Sequence, residues 1–509
     1  MSTADAPDRT VDADTTWHRL SPRMLLVHPV VELGRALPVL IGLVFAGGDH
    51  TSPVPSLVAA LAVTALAIAR WFTTQLRITP EQVELRTGVL RRRNLATRRD
   101  RIRTVDVTSH LLHRALGLAR VVVGTGTSDR KGRDRLVLDG LTAVAAAQLR
   151  DALLNHRVDA PAATAPVVDR PDELVRLDHR WVWLAPFTLS GAVTGLVVWG
   201  FFWRLQGDGV DVLHSGPLRA VTHDAEHRST AAVVVAVAVL LVVFVSVTSL
   251  LGYVLAFWRF RLVRHPGGTL EVTRGLLTTR STSIERRRLV GVRVSEPLLL
   301  RAVGGARLLA VATGLRVGRG AERGGEALLP PAPRAVALAV GRDVLDGTTA
   351  LDTPLSAHGP AARRRRLVRS LAGAVALLAV AVAGWATGGS AWPVWVAVLL
   401  VVAAAPLARD RYRSLGHAVR DGYLAVGAGS IVRRRTLLHG DAIIGWNLRR
   451  SVFQRRSGLA TLVATTAAGR QGEVVSDVPL DEALAVADGL TPGLLSQFRA
   501  PYCAVWSDS

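Results

Sequence analysis

The chain has 509 residues, 49% of them hydrophobic, and 62 Lys+Arg against 40 Asp+Glu give a formal charge of +22. With a mean hydropathy of +0.30, this composition excludes a disordered or wholly soluble protein. The single cysteine, Cys503, excludes an intramolecular disulfide and any CxxC zinc or redox site, and the sole lysine, Lys131, excludes a Walker-type phosphate loop.

Residues 1–28 read as a polar tail without the apolar core and cleavage site of a signal peptide. Six apolar blocks follow, at 29–47, 54–72, 181–203, 231–258, 366–386 and 391–408. Each approaches the roughly 20 residues that cross a bilayer. They come in pairs, which predicts transmembrane hairpins at 29–72, 181–258 (with an outside loop at 204–230) and 366–408. Segments 73–180, 259–366 and 409–509 carry 20, 20 and 13 Lys+Arg, whereas the outside links carry only Arg204, Arg219 and Arg228. The positive-inside rule therefore predicts that the three long segments and both termini are cytoplasmic.

Those three segments repeat one pattern. Gly88, Gly275 and Gly429 each begin a tight turn, and Gly117, Gly304 and Gly458 follow 29 residues later in every copy. Between them Ile102, Leu289 and Ile443 coincide, as do Arg114, Arg301 and Arg455. Short alternating runs such as Val83-Glu84-Leu85 predict half-buried strands, and each copy ends in an amphipathic stretch that predicts one helix. Several strands closed by one helix make a small antiparallel barrel or sandwich.

A hairpin followed by this β module, three times over, resembles the bacterial membrane-flanked PH-like domain family, particularly its YdbT-like members. The stretches 76–90 and 101–125 carry the resemblance best, and 288–312 and 442–466 carry it more loosely. It implies a multi-pass α-helical inner-membrane protein with three cytoplasmic β-rich PH-like split-barrel domains, each closed by a C-terminal helix. The domains are expected at 73–160, 259–350 and 409–495, with linkers at 161–180 and 351–365 and a tail at 496–509. The family has no agreed catalytic residues, so none is carried over.

The basic clusters are the principal candidate sites: Arg91, Arg92 and Arg93; Arg98, Arg99, Arg101 and Arg103; Arg286, Arg287 and Arg288; Arg433, Arg434 and Arg435. Near an anionic leaflet each such residue contributes about 1 kcal/mol. Lipid headgroup contact and simple enforcement of topology are both open readings. The run Arg363–Arg366, directly before an apolar block, reads as topological. His214, His223 and His227 in the outside loop read as solvated rather than as metal ligands, since no zincin pattern accompanies them. There is no RNP-like aromatic motif, dinucleotide fingerprint or Gly-x-Ser-x-Gly elbow.

The expectation is a non-enzymatic assembly or adaptor protein without cofactor or metal. Its modules would bind anionic lipid headgroups or a membrane or cytoplasmic protein, with strand addition at a sheet edge as one mode, and no nucleic acid. The alternative is a component of a transport or export system whose hairpins form the path.

Overall fold

The structure, a computed structural model, describes residues 17–19, 21–24, 72–79, 81–88, 93–99, 102, 104–124, 136–154, 171–188, 230–313, 327–469 and 471–494, with a few isolated positions besides. The expected span 29–47, most of 54–72, about half of 181–203, and the loop up to residue 229 lie outside the described residues. The chain divides into two compact units, Met1–Arg176 with Leu255–Arg288, and Leu177–Val254 with Leu289–Ser509.

In the first unit, β1 (His18–Arg19), β2 (Gln75–Ile78), β3 (Gln82–Thr87) and β4 (Arg93–Arg98) form a four-stranded sheet in that order. β5 (Thr104–His110), the one-turn helix α1 (Leu111–Ala115), β6 (Leu118–Gly124), β7 (Leu136–Thr142) and helix α2 (Ala143–Leu154) follow. Val83 and Leu85, Val121 and Val123, and Leu136 and Leu138 alternate inward with strand period. With Leu76, Ile102, Val105 and the helix residues Ala146 and Leu149 they make one core. The first copy therefore buries both of its three-stranded meanders under its helix, each large apolar side chain contributing about 1.5–3 kcal/mol.

β8 (Asp172–Arg176) precedes helix α3 (Thr230–Phe257), which leads into β9 (Arg261–Arg264), β10 (Leu270–Arg274) and β11 (Thr278–Ile284). These strands extend the sheet of the first copy in the order β7-β6-β5-β11-β10-β9-β8. The opening meander of the second copy thus joins the closing meander of the first.

The second unit begins in sequence with a 3-10 helix at His179–Phe187. The apolar pattern suggests a membrane span starting at residue 181. Instead Asp178 caps the 3-10 helix through the Arg180 amide, Trp181 is buried, and Pro186 lies within it. β12 (Leu289–Pro297), α4 (Leu298–Ala302), β13 (Gly305–Ala312), β14 (Ala327–Pro333) and α5 (Arg334–Val344) complete the second copy.

Helices α6 (Gly359–Ala386) and α7 (Trp392–Arg413) pack as a hairpin, followed by β15 (Gly416–Arg420), β16 (Tyr423–Ala428) and β17 (Val432–His439). Then come β18 (Ile443–Arg449), α8 (Val452–Arg456), β19 (Leu459–Thr466), β20 (Gly472–Pro479) and α9 (Leu480–Leu490). The sheets run β14-β13-β12-β17-β16-β15 and β18-β19-β20. Leu424, Val426, Leu438, Leu462, Ala464, Val475, Val478, Val486 and Ala487 share the third copy's core.

Among the described residues, three helices are long and apolar enough to cross a membrane: Ala238–Phe257 within α3, then α6 and α7. α6 starts earlier than the apolar block at 366 suggests, because Arg363–Arg366 continue the helix. All six repeat glycines have positive φ, from 66° at Gly458 to 124° at Gly88. At Gly275 and Gly429 a Cβ would also overlap the carbonyl oxygens of Thr278 and Val432, so glycine is required twice over.

Candidate functional site

The junction between successive copies is built twice to one plan. β5 pairs with β11 from Thr104↔Ile284 to His110↔Thr278, and β12 pairs with β17 from Gly291↔Leu438 to Pro297↔Val432. With the copies aligned on Gly117, Gly304 and Gly458, the two registers are identical.

Polar contacts repeat at matching places. Thr282 Oγ1 donates to Asp106 Oδ1 at 2.7 Å and Arg280 Nη2 to Asp106 Oδ2 at 2.9 Å. One copy later, Arg293 occupies the Asp106 position and its Nε donates to Thr436 Oγ1 at 3.0 Å, while its Nη2 pairs with Glu473. The chemistry is inverted, acceptor for donor, but the cross-strand pair is kept.

Arg114 and Arg301, aligned in the sequence without an assigned role, are the clasps of these junctions. Arg114 Nη1 donates to the Leu276 carbonyl at 2.8 Å, and Arg301 Nη1 to the equivalent Ser430 carbonyl at 3.5 Å. Each carbonyl belongs to the residue after a turn glycine of the next copy. Arg301 Nη2 also donates to Asp410 Oδ2 at 3.1 Å.

β18 occupies the same place in the third copy, and its outer edge has no strand beside it among the described residues. Leu448, at the position of Val294, is 41% exposed where Val294 is 2% exposed. Ile444 and Asn447 are exposed as well. A Cβ on Gly291 would overlap the Leu437 carbonyl oxygen of the paired strand, whereas one on the equivalent Gly445 meets nothing within 4 Å. Arg449 and Arg450 end this edge, and Arg450 stands where β12 has Glu296.

The predicted basic clusters are distributed differently. Arg91, Arg92, Arg101 and Arg103 lie outside the described residues. Arg93 and Arg98 bound one strand, β4, opposite Thr87 and Gln82, and Arg99 follows with its amide on the Glu81 carbonyl.

Arg286–Arg288 form a 3-10 turn that aligns with residues 99–101, whereas Arg433–Arg435 lie in β17 and align with 92–94. The two triplets are therefore not counterparts. Arg287 and Arg288 pair with Glu285, and Arg288 Nη1 also donates to the Ile102 carbonyl. Arg433 Nη2 pairs with Asp410 Oδ1 at 2.8 Å, and Arg435 donates to the Thr353 carbonyl. Arg286 and Arg434 also have partners.

A buried polar cluster, unsignalled in the sequence, ties the base of α6 to β20. Asp477, 2% exposed, pairs with Arg365 at 3.2 Å and Arg366 at 2.9 Å and accepts from Gln454 Nε2 at 2.9 Å. Beside it His358 Nδ1 lies 2.9 Å from the Ser476 carbonyl and Nε2 lies 3.0 Å from His417 Nδ1. A carbonyl only accepts, so Nδ1 carries the proton and Nε2 accepts from His417. Burial, with the neighbouring His417, lowers the His358 pKa to about 4, and burial lowers that of His417 too. The described residues hold no group of three or more His, Cys, Asp or Glu placed to ligate a metal.

Two regions, residues 32–157 and 367–492, match the family model of the bacterial PH domain. These two regions, just under half of the chain, are bacterial PH domains. Within this PH-domain protein the two matched regions include the first and third copies, those whose paired meanders and closing helix share a core. No curated protein and no solved structure matches the chain.

Proposed function

We propose that this is a multi-pass inner-membrane protein whose cytoplasmic PH-like modules serve as a non-enzymatic adaptor, and that β18 receives an extended segment of a protein partner. The unpaired edge of β18 carries the proposal, since both equivalent strands, β5 and β12, are paired at that edge. An unpaired row of backbone donors and acceptors beside exposed apolar residues is the usual receptor for strand addition. Arg449 and Arg450 favour a partner strand with carboxylates at that end.

The α6–α7 hairpin supports the orientation. Arg363–Arg366 and Arg409, Arg411 and Arg413 cluster at its open end, next to the β modules, and exposed Trp385, Trp392 and Trp395 lie at the other. Basic residues mark the cytoplasmic end and tryptophans an interface. Headgroup binding by the basic clusters has less support, because Arg287, Arg288, Arg433 and Arg435 already bind protein groups.

Photocrosslinking in living cells tests the proposal, with a photoreactive residue at Ile444 or Leu448 and, as control, at exposed Val419. A discrete protein adduct from the two edge positions is expected, and Gly445→Val should abolish it by filling the space a partner backbone needs. An adduct that survives Gly445→Val, or arises equally from Val419, refutes strand addition at this edge.

A further inference from the structure

The one-turn helices α1, α4 and α8 are polarised the wrong way for a water-exposed turn. Their inward-facing residues are His113, Leu300 and Gln454, two of the three polar, and all are buried. Their outward pairs, Leu111-Leu112, Leu298-Leu299 and Val452-Phe453, are apolar and exposed in every copy, with Phe453 at 72%. Leu277 and Ile431, equivalent turn residues beside the first two pairs, are exposed as well. A single exposed leucine needs no explanation, but the same apolar pair kept outward in three copies does.

Each tip is fastened to the end of an apolar helix. In the first copy, Arg114 on α1 binds the Leu276 carbonyl, and the Leu276 amide donates to Leu255 in the last turn of α3 at 3.0 Å. In the second, Arg301 on α4 binds Asp410 in the last turns of α7. In the third, Gln454 of α8 and Ser451, which caps it, join Arg365 and Asp477 at the base of α6. The three anchor points are the C-terminal ends of α3 and α7 and the N-terminal end of α6, the ends continuous with the β modules.

We infer that the three tips insert into the leaflet against which the modules sit, with the flanking Arg114, Arg301 and Arg455 at headgroup level. Helix ends of this kind define the depth where apolar side chains meet acyl chains and arginine stems reach back to the interface. The occupant of these patches is the lipid bilayer. Each module is then held at the bilayer by its own apolar foothold rather than by an arginine triplet. This rests on the reading that α3, α6 and α7 span the membrane.

The test uses the full chain with Cys503→Ser, which frees it of cysteine, and single cysteines at Leu112, Leu299 or Phe453. Each is labelled with an environment-sensitive dye and reconstituted in vesicles containing lipids spin-labelled high on the acyl chain. Val380→Cys, outward in mid-α6, reports spanning, and Val419→Cys, in β15, reports the exposed module surface. Loss of most emission at the three tips and at Val380, but not at Val419, is expected. Quenching at Val380 without quenching at the tips overturns the inference and leaves the spanning reading intact. No quenching at Val380 refutes the spanning reading and the inference with it. Tips shielded from both lipid quencher and aqueous iodide are covered by protein, which also overturns it.

Discussion

β12 and β18 hold the same position in successive copies and share their strand–helix–strand surroundings, yet one is an inner strand and the other an edge. Val294 is covered and Leu448 is exposed; Gly291 is pressed against a neighbouring carbonyl and Gly445 faces open space. The difference lies in the partner strand: β17 of the third copy covers β12, and among the described residues no such strand covers β18. An apolar residue retained at an uncovered position, beside a glycine with room to spare, is what the proposed strand addition would use.

Gly291→Ala should break the covered member most severely. Its Cβ must displace the β17 backbone, at a cost of about 3 kcal/mol, read as a lowered Tm in detergent or nanodiscs. Gly445→Ala should shift Tm within the noise, and equal losses at both would refute the contrast.

Acid should act next, through the buried cluster at the base of α6. His358 is neutral when folded because its pKa lies near 4, below the ordinary value of 6.5. Its share of stability is complete above pH 6.5 and falls as pH drops from 6.5 toward 4, on the order of 3 kcal/mol in all. A His358→Phe variant should flatten the pH dependence of Tm across that window.

Asp106→Ala removes the acceptor for Thr282 and Arg280 at the first junction and should cost about 1–2 kcal/mol. Asn447→Ala, at the same place on the open edge, should stay within about 0.5 kcal/mol. Arg114→Ala, with one exposed hydrogen bond at stake, should cost about 1 kcal/mol or less in thermal unfolding.

The turn glycines, the closing helices and the strand character of Val83–Leu85 were legible in the sequence, because each depends on residues close along the chain. The register of the copies was legible too, through Gly117, Gly304 and Gly458. The sheets were not. Alignment shows that β5 and β12 are equivalent, but the strand that pairs with each comes from the following copy, and no local pattern encodes that. The ion pairs of the arginines were hidden for a related reason: Asp410 and Asp477 are remote in sequence from several arginines they neutralise. The 3-10 helix at His179–Phe187 was hidden inside an apolar run whose hydropathy alone suggested a span.

Pairing every closing meander with the next opening meander puts the unit of sequence out of phase with the unit of architecture, as courses of brick overlap their joints. A cut between copies therefore does not release a finished piece. Removing everything after residue 258 deletes β9, β10 and β11 and leaves β5 bare along seven residues, turning a protected strand into a template for aggregation. Gene duplication meets the opposite situation: an added copy falls into the existing bond at both of its faces. However many courses are laid, the last one ends, among the described residues, with an unjoined strand.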